Sequence, residues 1–237
     1  MKNFSIVLST VAIILAAVAL LMSNKSGVSD SAIADALRNN PKIVVDALQA
    51  HQEQERLAQE QAAAEAIKQY AGEISSADNV PFTGPKDAAV TVVEFFDFSC
   101  GYCKRLAPDL EKVIADNANV KFVFKPVSFV SNVSPYQAKG GLAAAKQGKF
   151  MEYYKAVMAA EGGMSEADVD KVAESVGLDM DKFKADLNSS AVNDALAAVS
   201  SLTQKIQVNG VPSLFINGKQ AYAYSAEEIQ KAIDAAK

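Results

Sequence analysis

The sequence has few of the side chains on which most enzyme mechanisms depend. Its 237 residues include two cysteines, one histidine and no tryptophan. Because His51 is the single histidine, a metal site with several histidine ligands is excluded, and any Ser-His-Asp or Cys-His mechanism would depend on that one residue. Two cysteines are also too few for a zinc ribbon or a disulfide-rich scaffold. We therefore expect no metal site.

Basic residues are outnumbered as well. Lysine and arginine total 23 against 28 acidic residues, which gives a net charge of −5 at pH 7. Because binding to a nucleic-acid backbone depends on clustered positive charge, no nucleic-acid partner is expected. Half of the residues are hydrophobic, which is sufficient for a buried core in one domain with additions or in two domains.

Residues 1–24 have the pattern of a targeting segment. Lys2 precedes an apolar run, Ile6 to Met22, which only two polar residues interrupt. This pattern predicts that the chain is exported. The small-x-small sequence at residues 17–19 suits cleavage of a signal peptide. Without cleavage, residues 1–22 would anchor the protein in the membrane, although they are slightly shorter than the ~20 apolar residues of a full span. The sequence leaves both alternatives open.

Residues 25–77 predict a helical stalk. They are rich in Ala, Gln and Glu, and Pro41 follows an asparagine that can cap a helix. We therefore expect a short helix over about 29–39 and a long one over about 41–74. His51 lies in the polar part of the long helix, where a solvated helix face is the expected environment.

Apolar residues form a stripe at spacings of four and seven along these helices, at Ile33, Leu37, Val44 and Leu48. A helix with so few apolar residues is stable mainly through partners or good helix propensity. We predict that the stripe joins copies of the chain into a homo-oligomer. The alternative is that it folds back on the C-terminal domain, because the heptad pattern is short.

Residues 78–237 predict an α/β domain. The apolar run at 90–98 is typical of a strand covered on both faces. A helix over 101–117 and a second strand over 120–127 follow it, which predicts a parallel crossover. Residues 131–207 carry five successive helical patterns, and we interpret them as a helical insertion.

Strand patterns return near the C-terminus. Residues 213–216 and 220–224 flank Asn217-Gly218, a sequence that favours a type I′ hairpin turn. Ser225 with Glu228 then predicts the start of the last helix.

The two cysteines lie three positions apart, as Cys100-Gly101-Tyr102-Cys103, directly after the first strand and at the start of a helix. This is the context in which a C-x-x-C pair is redox active. Free N–H groups and the helix dipole stabilise a thiolate at Cys100, which can attack a substrate disulfide, and Cys103 can then resolve the mixed disulfide. The alternatives are a structural disulfide, which would close too short a loop to stabilise much, and half of a zinc site.

Two separated motifs resemble the DsbA-like branch of the thioredoxin superfamily, the thiol–disulfide oxidoreductases of the bacterial envelope. They are VEFFDFSCGYC at residues 93–103 and VNGVPSLFING at residues 208–218, and the resemblance covers about residues 80–237. It implies a thioredoxin-like α/β fold with a helical insertion, here preceded by the helical stalk. It also implies that the redox-active pair Cys100–Cys103 serves in place of a cofactor.

The resemblance assigns further site residues. Pro212 would be a cis proline facing the cysteines, and Val211 before it would offer backbone groups to a substrate, whereas the residues alone also allow an ordinary trans turn. Gly101 and Tyr102 would also contact the substrate. Glu94 is a charge in an apolar strand, which costs free energy unless it is hydrogen-bonded or functional.

In the family, the matching carboxylate helps proton transfer at the buried cysteine, so Glu94 would have that role. The alternative is that Glu94 lies at a strand margin and reaches solvent. Lys125, in the second strand, is placed where it could pair with Glu94.

One departure affects the expected activity. Strongly oxidising members carry Pro-His between the cysteines, whereas this chain carries Gly101-Tyr102. Without a cation near the thiolate, the pair should be less oxidising. Relatives with a helical extension resemble oligomeric isomerases, so isomerase or mixed isomerase and oxidase activity is favoured.

The resemblance implies exported proteins with cysteines as substrates and a membrane redox partner that resets the pair. The alternative function is a non-catalytic envelope chaperone or surface scaffold protein with the same fold.

Overall fold

The computed structural model describes residues 30–237. Contacts divide the chain after Gln59 into two units. The targeting segment predicted at residues 1–24 lies outside the described residues, and the domain boundaries predicted at 24 and 77 stay predictions. Among the described residues, no helix is both long enough and apolar enough to cross a membrane.

Two helices begin the described chain, α1 (Asp30–Asn39) and α2 (Pro41–Gln69). They match the two helices predicted from the sequence, except that α2 ends earlier and is followed by a short helix, α3 (Ala71–Ser75). No residue of α2 is buried. In the predicted stripe, the side chains of Leu37, Val44 and Leu48 are exposed in the single chain; the side chain of Ile33 lies outside the description.

A five-stranded mixed sheet forms the centre of the second unit. Its strands are β1 (Phe82–Thr83), β2 (Thr91–Phe96), β3 (Lys121–Pro126), β4 (Ser213–Ile216) and β5 (Lys219–Ala221), in the order β1-β3-β2-β4-β5. The β2 and β3 strands are parallel, as the strand-helix-strand pattern predicted, and all other neighbours are antiparallel. The sequence did not predict β1, because a strand of two residues is too short to show a periodic pattern.

The hairpin between β4 and β5 turns at Asn217 and Gly218. Both residues have positive φ angles, 48° and 76°, which is the conformation that a type I′ turn requires. The predicted turn is therefore confirmed.

Seven more helices complete the described chain. The α4 helix (Gly101–Asp116) connects β2 to β3. The predicted insertion contains its five expected helices, and α10 ends the fold; they are α5 (Ser134–Lys146), α6 (Phe150–Ala159), α7 (Glu166–Ser175), α8 (Met180–Leu187), α9 (Ser190–Lys205) and α10 (Ala226–Asp234). Ser165 and Asp168 form the predicted capping box at the start of α7.

Both faces of the sheet are buried, and every residue of β2 is buried. One face of β2 carries Val92, Glu94 and Phe96, and this face packs against α4 and α6 in the larger hydrophobic core. The opposite face carries Val93 and Phe95, which pack against α3 and α9 in a second core cluster. The strand therefore brings Glu94 directly beneath the helix that carries the two cysteines.

Candidate active site

Cys100 lies at the junction between β2 and α4. It is the N-cap residue of α4, and its N–H donates a hydrogen bond of 2.9 Å to the carbonyl oxygen of Asp97. Both cysteines are free thiols and both are buried, Cys103 completely and Cys100 to all but 7% of its surface. Because the first turn of a helix presents unpaired N–H groups, this position stabilises an anion on the Cys100 sulfur.

The second motif meets the first at this thiol. The Sγ atom of Cys100 donates a hydrogen bond of 3.3 Å to the carbonyl oxygen of Val211. The peptide bond between Val211 and Pro212 is cis. The structure thus brings together residues that lie about 110 positions apart in the sequence.

Tyr102, between the two cysteines, projects into solvent with 69% of its surface exposed. Its ring is covered on one side by the guanidinium group of Arg105, which lies 4.2 Å from the ring centroid in a cation–π contact. Gly101 beside it is also exposed. These two residues form the open rim of the site next to Cys100.

A groove of about 670 Å³ lies beside this rim, and the Val211–Pro212 loop forms part of its lining. Most of its lining residues are apolar or aromatic, and they include Ile67, Tyr102, Leu106, Ile206, Val211 and Pro212. Ile67 and its neighbour Ala63 come from the last turns of α2, within the second unit. The sequence did not predict that α2 contributes to this groove.

Glu94 is buried beneath the cysteines, so the alternative in which it reaches solvent is wrong. Its Oε2 atom accepts a hydrogen bond of 3.0 Å from the hydroxyl of Tyr154 in α6. Its Oε1 atom is buried and has no hydrogen-bond partner among residues 30–237. Burial raises the pKa of the Glu94 carboxyl to about 8, while the hydrogen bond from Tyr154 acts in the opposite direction.

Cys103 shares this buried environment. Burial, followed by the nearby negative charge of Glu94, raises the pKa of the Cys103 thiol far above its usual value, and a hydrogen bond from the backbone of Asp97 opposes the shift. Cys103 is therefore a thiol at neutral pH, and it needs a proton acceptor before it can attack a sulfur atom.

Lys125 is not the partner of Glu94. In the register of β2 and β3, Glu94 lies opposite Phe124, and Lys125 lies opposite Phe95 on the other face of the sheet. The ammonium group of Lys125 donates a hydrogen bond of 2.9 Å to the carbonyl oxygen of Ser76. Burial lowers the pKa of Lys125 to about 8, although the carboxylates of Glu73 and Asp78 counteract this effect.

Asp97 is a site residue that sequence reasoning missed. Its carboxylate is completely buried and accepts four hydrogen bonds, from Ser99 N (2.8 Å), Ser134 Oγ (2.7 Å), Phe129 N (3.1 Å) and Val130 N (3.1 Å). It therefore connects the turn before Cys100 to the loop after β3. The available signal was a second acidic residue in the same apolar run that contains Glu94.

His51 lies on α2, in the first unit. Its side chain is largely exposed, and its Nε2 atom lies 3.4 Å from Glu55 Oε1. It is thus a surface residue of the polar helix face, as expected. In residues 30–237, no three His, Cys, Asp or Glu side chains are grouped where they could hold a metal ion.

A family model described as Thioredoxin matches residues 76–235. The chain belongs to the thioredoxin family. It is 30% identical over 164 residues to the probable disulfide bond formation protein D of Bacillus cereus. This similarity covers 64% of the chain described here and 76% of the Bacillus protein. It is 31% identical over 154 residues, 63% of this chain, to the Na⁺/H⁺ antiporter NhaA 3 of Salinispora tropica. It spans only 24% of the length of that antiporter.

Solved structures agree with this thioredoxin-family assignment. BcfH of Salmonella enterica Typhimurium has a TM-score of 0.69 and 27% identity, and the similarity covers 93% of this chain and 99% of that chain. The thiol-disulfide exchange protein α-DsbA2 of Wolbachia pipientis has the same fold, with a TM-score of 0.67, 24% identity, and coverage of 76% of this chain and 98% of that one. The resemblance to the DsbA-like branch and the predicted fold class are confirmed.

Tyr154 is the second residue that sequence reasoning missed. It lies in an apolar helical pattern with Tyr153, and nothing in that pattern distinguishes the tyrosine that reaches Glu94 from its neighbour. The distinction depends on how α6 of the thioredoxin fold packs on β2.

Proposed function

We propose that this chain is a thiol–disulfide oxidoreductase of the cell envelope that exchanges disulfides with exported proteins through Cys100 and Cys103. The observation that carries the proposal is that the Cys100 thiol lies at a helix N-terminus and contacts the Val211 carbonyl oxygen. A thiol held between a helix N-terminus and an adjacent loop can form a mixed disulfide with an extended polypeptide.

Cys100 begins the reaction. As a thiolate, it attacks one sulfur of a substrate disulfide, which forms a Cys100–substrate disulfide and releases the other substrate sulfur as a thiolate. In isomerisation, that thiolate attacks another sulfur of the same substrate, and a later substrate thiolate displaces Cys100. No net transfer of electrons occurs in this cycle, so it needs no external oxidant.

Cys103 completes the reaction when the protein reduces a substrate disulfide. Its thiol loses a proton and attacks the Cys100 sulfur, which forms the Cys100–Cys103 disulfide and releases the second substrate sulfur as a thiol. Two electrons pass from the cysteine pair to the substrate disulfide, and oxidation of a substrate dithiol is the reverse. A membrane thiol–disulfide protein is the proposed partner that returns the pair to its starting state.

Glu94 is the proposed proton acceptor for Cys103. Its free Oε1 atom has unused hydrogen-bonding capacity in the buried space beneath the cysteines. With a pKa of about 8, roughly a tenth of the Glu94 carboxyls are ionised at pH 7 and can take a proton. Because Glu94 can be ionised while Cys103 is still a thiol, Glu94 can act as the base that removes the Cys103 proton when Cys103 attacks the mixed disulfide.

Val211, Pro212, Gly101 and Tyr102 are the proposed substrate-binding residues. They surround Cys100, and the groove lined by Tyr102, Val211 and Pro212 offers an apolar surface for side chains next to the reacting cysteine of the substrate. The exposed ring of Tyr102 can contact such a segment without a conformational change.

We further propose that isomerase activity, alone or mixed with oxidase activity, is the physiological function. Two features support this proposal: Gly101-Tyr102 stands between the cysteines in place of Pro-His, and a helical stalk is predicted over residues 25–77. The similarity to BcfH covers 93% of the chain and therefore extends into the N-terminal helices. The exposed side chains of Leu37, Val44 and Leu48 favour a homo-oligomer. Residues 1–24 would direct the protein to the periplasm, as signal peptide or anchor.

Replacement of Cys100 by serine tests the proposal. Cys100→Ser should reduce insulin reduction and the refolding of scrambled ribonuclease to less than about 1% of the wild-type rates, because the thiol that attacks the substrate is lost and the remaining thiol, Cys103, is completely buried. Cys103→Ser should accumulate mixed disulfides with substrate proteins. If the Cys100→Ser/Cys103→Ser protein still suppresses aggregation and the wild type has no exchange activity, the chain is a chaperone instead.

A further inference from the structure

We infer that Tyr154 is a positioning residue for disulfide exchange: its hydroxyl holds one carboxylate oxygen of Glu94 and leaves the other, Oε1, free to take the proton of Cys103. This inference rests on the proposed function, because it concerns the step in which Cys103 resolves the mixed disulfide. It adds a residue of the helical insertion to a site otherwise built from β2, α4 and the Val211–Pro212 loop.

The ring of Tyr154 is held in one place by other aromatic rings. It lies 5.3 Å from the ring centroid of Phe96, 5.2 Å from that of Phe124 and 5.8 Å from that of Phe150. The residue has no exposed surface. A buried tyrosine hydroxyl needs a hydrogen-bond partner, and this packing directs it to Glu94.

No other side chain of residues 30–237 donates a hydrogen bond to Glu94. Its cross-strand neighbours, Phe124 in β3 and Leu214 in β4, are apolar. The titratable groups of residues 30–237 that face this buried pocket are Cys100 at the N-cap of α4, Cys103 and Glu111 within α4, and Tyr154 in α6. None of them is a cation, so within the described part of the chain the hydrogen bond from Tyr154 is the interaction that stabilises the Glu94 carboxylate.

Loss of the hydroxyl should therefore make Glu94 harder to ionise. A hydrogen bond to a charged group is stronger than one between neutral groups, so we expect the midpoint of the Glu94 ionisation to rise by about one pH unit. At pH 7, the ionised fraction would fall about ninefold. The attack by Cys100 precedes this proton transfer and should not change.

The test uses full-length Tyr154→Phe, with Tyr153→Phe as the matched control. Tyr153 is also completely buried on α6, but its hydroxyl donates to the carbonyl oxygen of Gln137 at 3.1 Å. Both variants therefore lose one buried hydroxyl, and only one loses a contact with Glu94.

Two rates are measured between pH 5.5 and 10: alkylation of Cys100 by iodoacetamide, and release of glutathione from a Cys100–glutathione mixed disulfide by Cys103. Tyr154→Phe should shift the midpoint of glutathione release upward by about one pH unit and slow it about ninefold at pH 7, with unchanged alkylation. Tyr153→Phe should change neither rate. Equal shifts in both variants, or no shift in Tyr154→Phe, would overturn the inference.

Two further measurements keep the roles separable. Tyr154→Phe added to Glu94→Gln should not slow release beyond Glu94→Gln alone, because Tyr154 acts through Glu94. If Tyr154→Phe does not fold, uniform replacement of tyrosine by 3-fluorotyrosine, a stronger donor, should shift the midpoint downward, and an unchanged midpoint would contradict the inference. If the wild type forms no mixed disulfide at Cys100, the proposed function fails instead.

Discussion

Glu94 and Lys125 lie on opposite faces of the sheet, although their strands are neighbours. Each is buried without an ion pair to the other. Burial raises the pKa of Glu94 from 4.5 to about 8 and lowers the pKa of Lys125 from 10.5 to about 8. A carboxyl and an amine buried separately in this way are both held nearer their uncharged forms than they would be in water.

The Glu94 carboxyl should make the stability of the protein depend on pH. Its pKa is raised from 4.5 to about 8 in the folded state, so its neutral form stabilises the fold below pH 4.5, and that contribution is lost as the pH rises toward 8. The loss is at most roughly 5 kcal/mol. With both cysteines reduced, the Glu94→Gln protein should therefore unfold at a higher urea concentration than the wild type at pH 8.5. This difference should vanish near pH 4.5.

Glu174→Gln, at an exposed position of α7, is the matched control and should show no such trend. A constant difference between Glu94→Gln and the wild type from pH 4.5 to 8.5 would contradict the prediction.

Replacement of Asp97 should damage both the fold and the site. Asp97→Ala leaves four donors without their acceptor, and we expect a loss of about 3–5 kcal/mol in the free energy of unfolding. Alkylation of Cys100 should also slow, because the turn before Cys100 loses its anchor. Urea unfolding and iodoacetamide kinetics measure the two effects.

Asp116→Ala, at the exposed end of α4, serves as the control for this change and should alter stability by less than about 0.5 kcal/mol. An Asp97→Ala protein with wild-type stability would show that the four hydrogen bonds do not hold the loops together.

The exposed stripe should determine the oligomeric state. Replacing Leu37, Val44 and Leu48 by glutamate places charges where we propose that copies of the chain meet, so light scattering should give the mass of a single chain. Isomerase activity should fall while reduction of insulin by Cys100 and Cys103 continues, because only isomerisation benefits from several sites around one stalk.

Leu57→Glu is the control for charge on α2. Leu57 is exposed and lies nine residues after Leu48, which places it on the opposite side of the helix. If the oligomer stays intact after the three stripe residues are replaced but dissociates with Leu57→Glu, the interface lies on the side of Leu57 and the prediction is contradicted.

Much of the fold could be predicted because its signals are local. The β2 strand is an apolar run with Glu94 as its one charged residue, the β4–β5 turn is an Asn-Gly pair, and α4 begins directly after Cys100. The pairing of Lys125 with Glu94 was wrong for a physical reason: a shift of one residue in strand register moves a side chain to the other face. No local pattern encodes the register between two apolar strands.

The supporting residues of the site depend on tertiary packing. Tyr154 reaches Glu94 because α6 lies across β2, and Tyr153 beside it points elsewhere, so composition and periodicity cannot separate them. The cis bond at Pro212 could be expected only from the resemblance to relatives. Asp97 could have been found, since a second acid in a buried strand run needs hydrogen-bond donors as much as the first.

The end of α2 affects how this protein can be divided or recombined. Ala63 and Ile67 line the groove next to Tyr102 and the Val211–Pro212 loop, and Ile74 of α3 is a completely buried member of the second core cluster. A fragment that starts at residue 78 would lose one wall of the groove and uncover part of the sheet. A catalytic fragment should instead begin near Glu60, and a chimera that exchanges stalks between relatives should be joined before Ala63, so that each groove keeps all of its own lining residues.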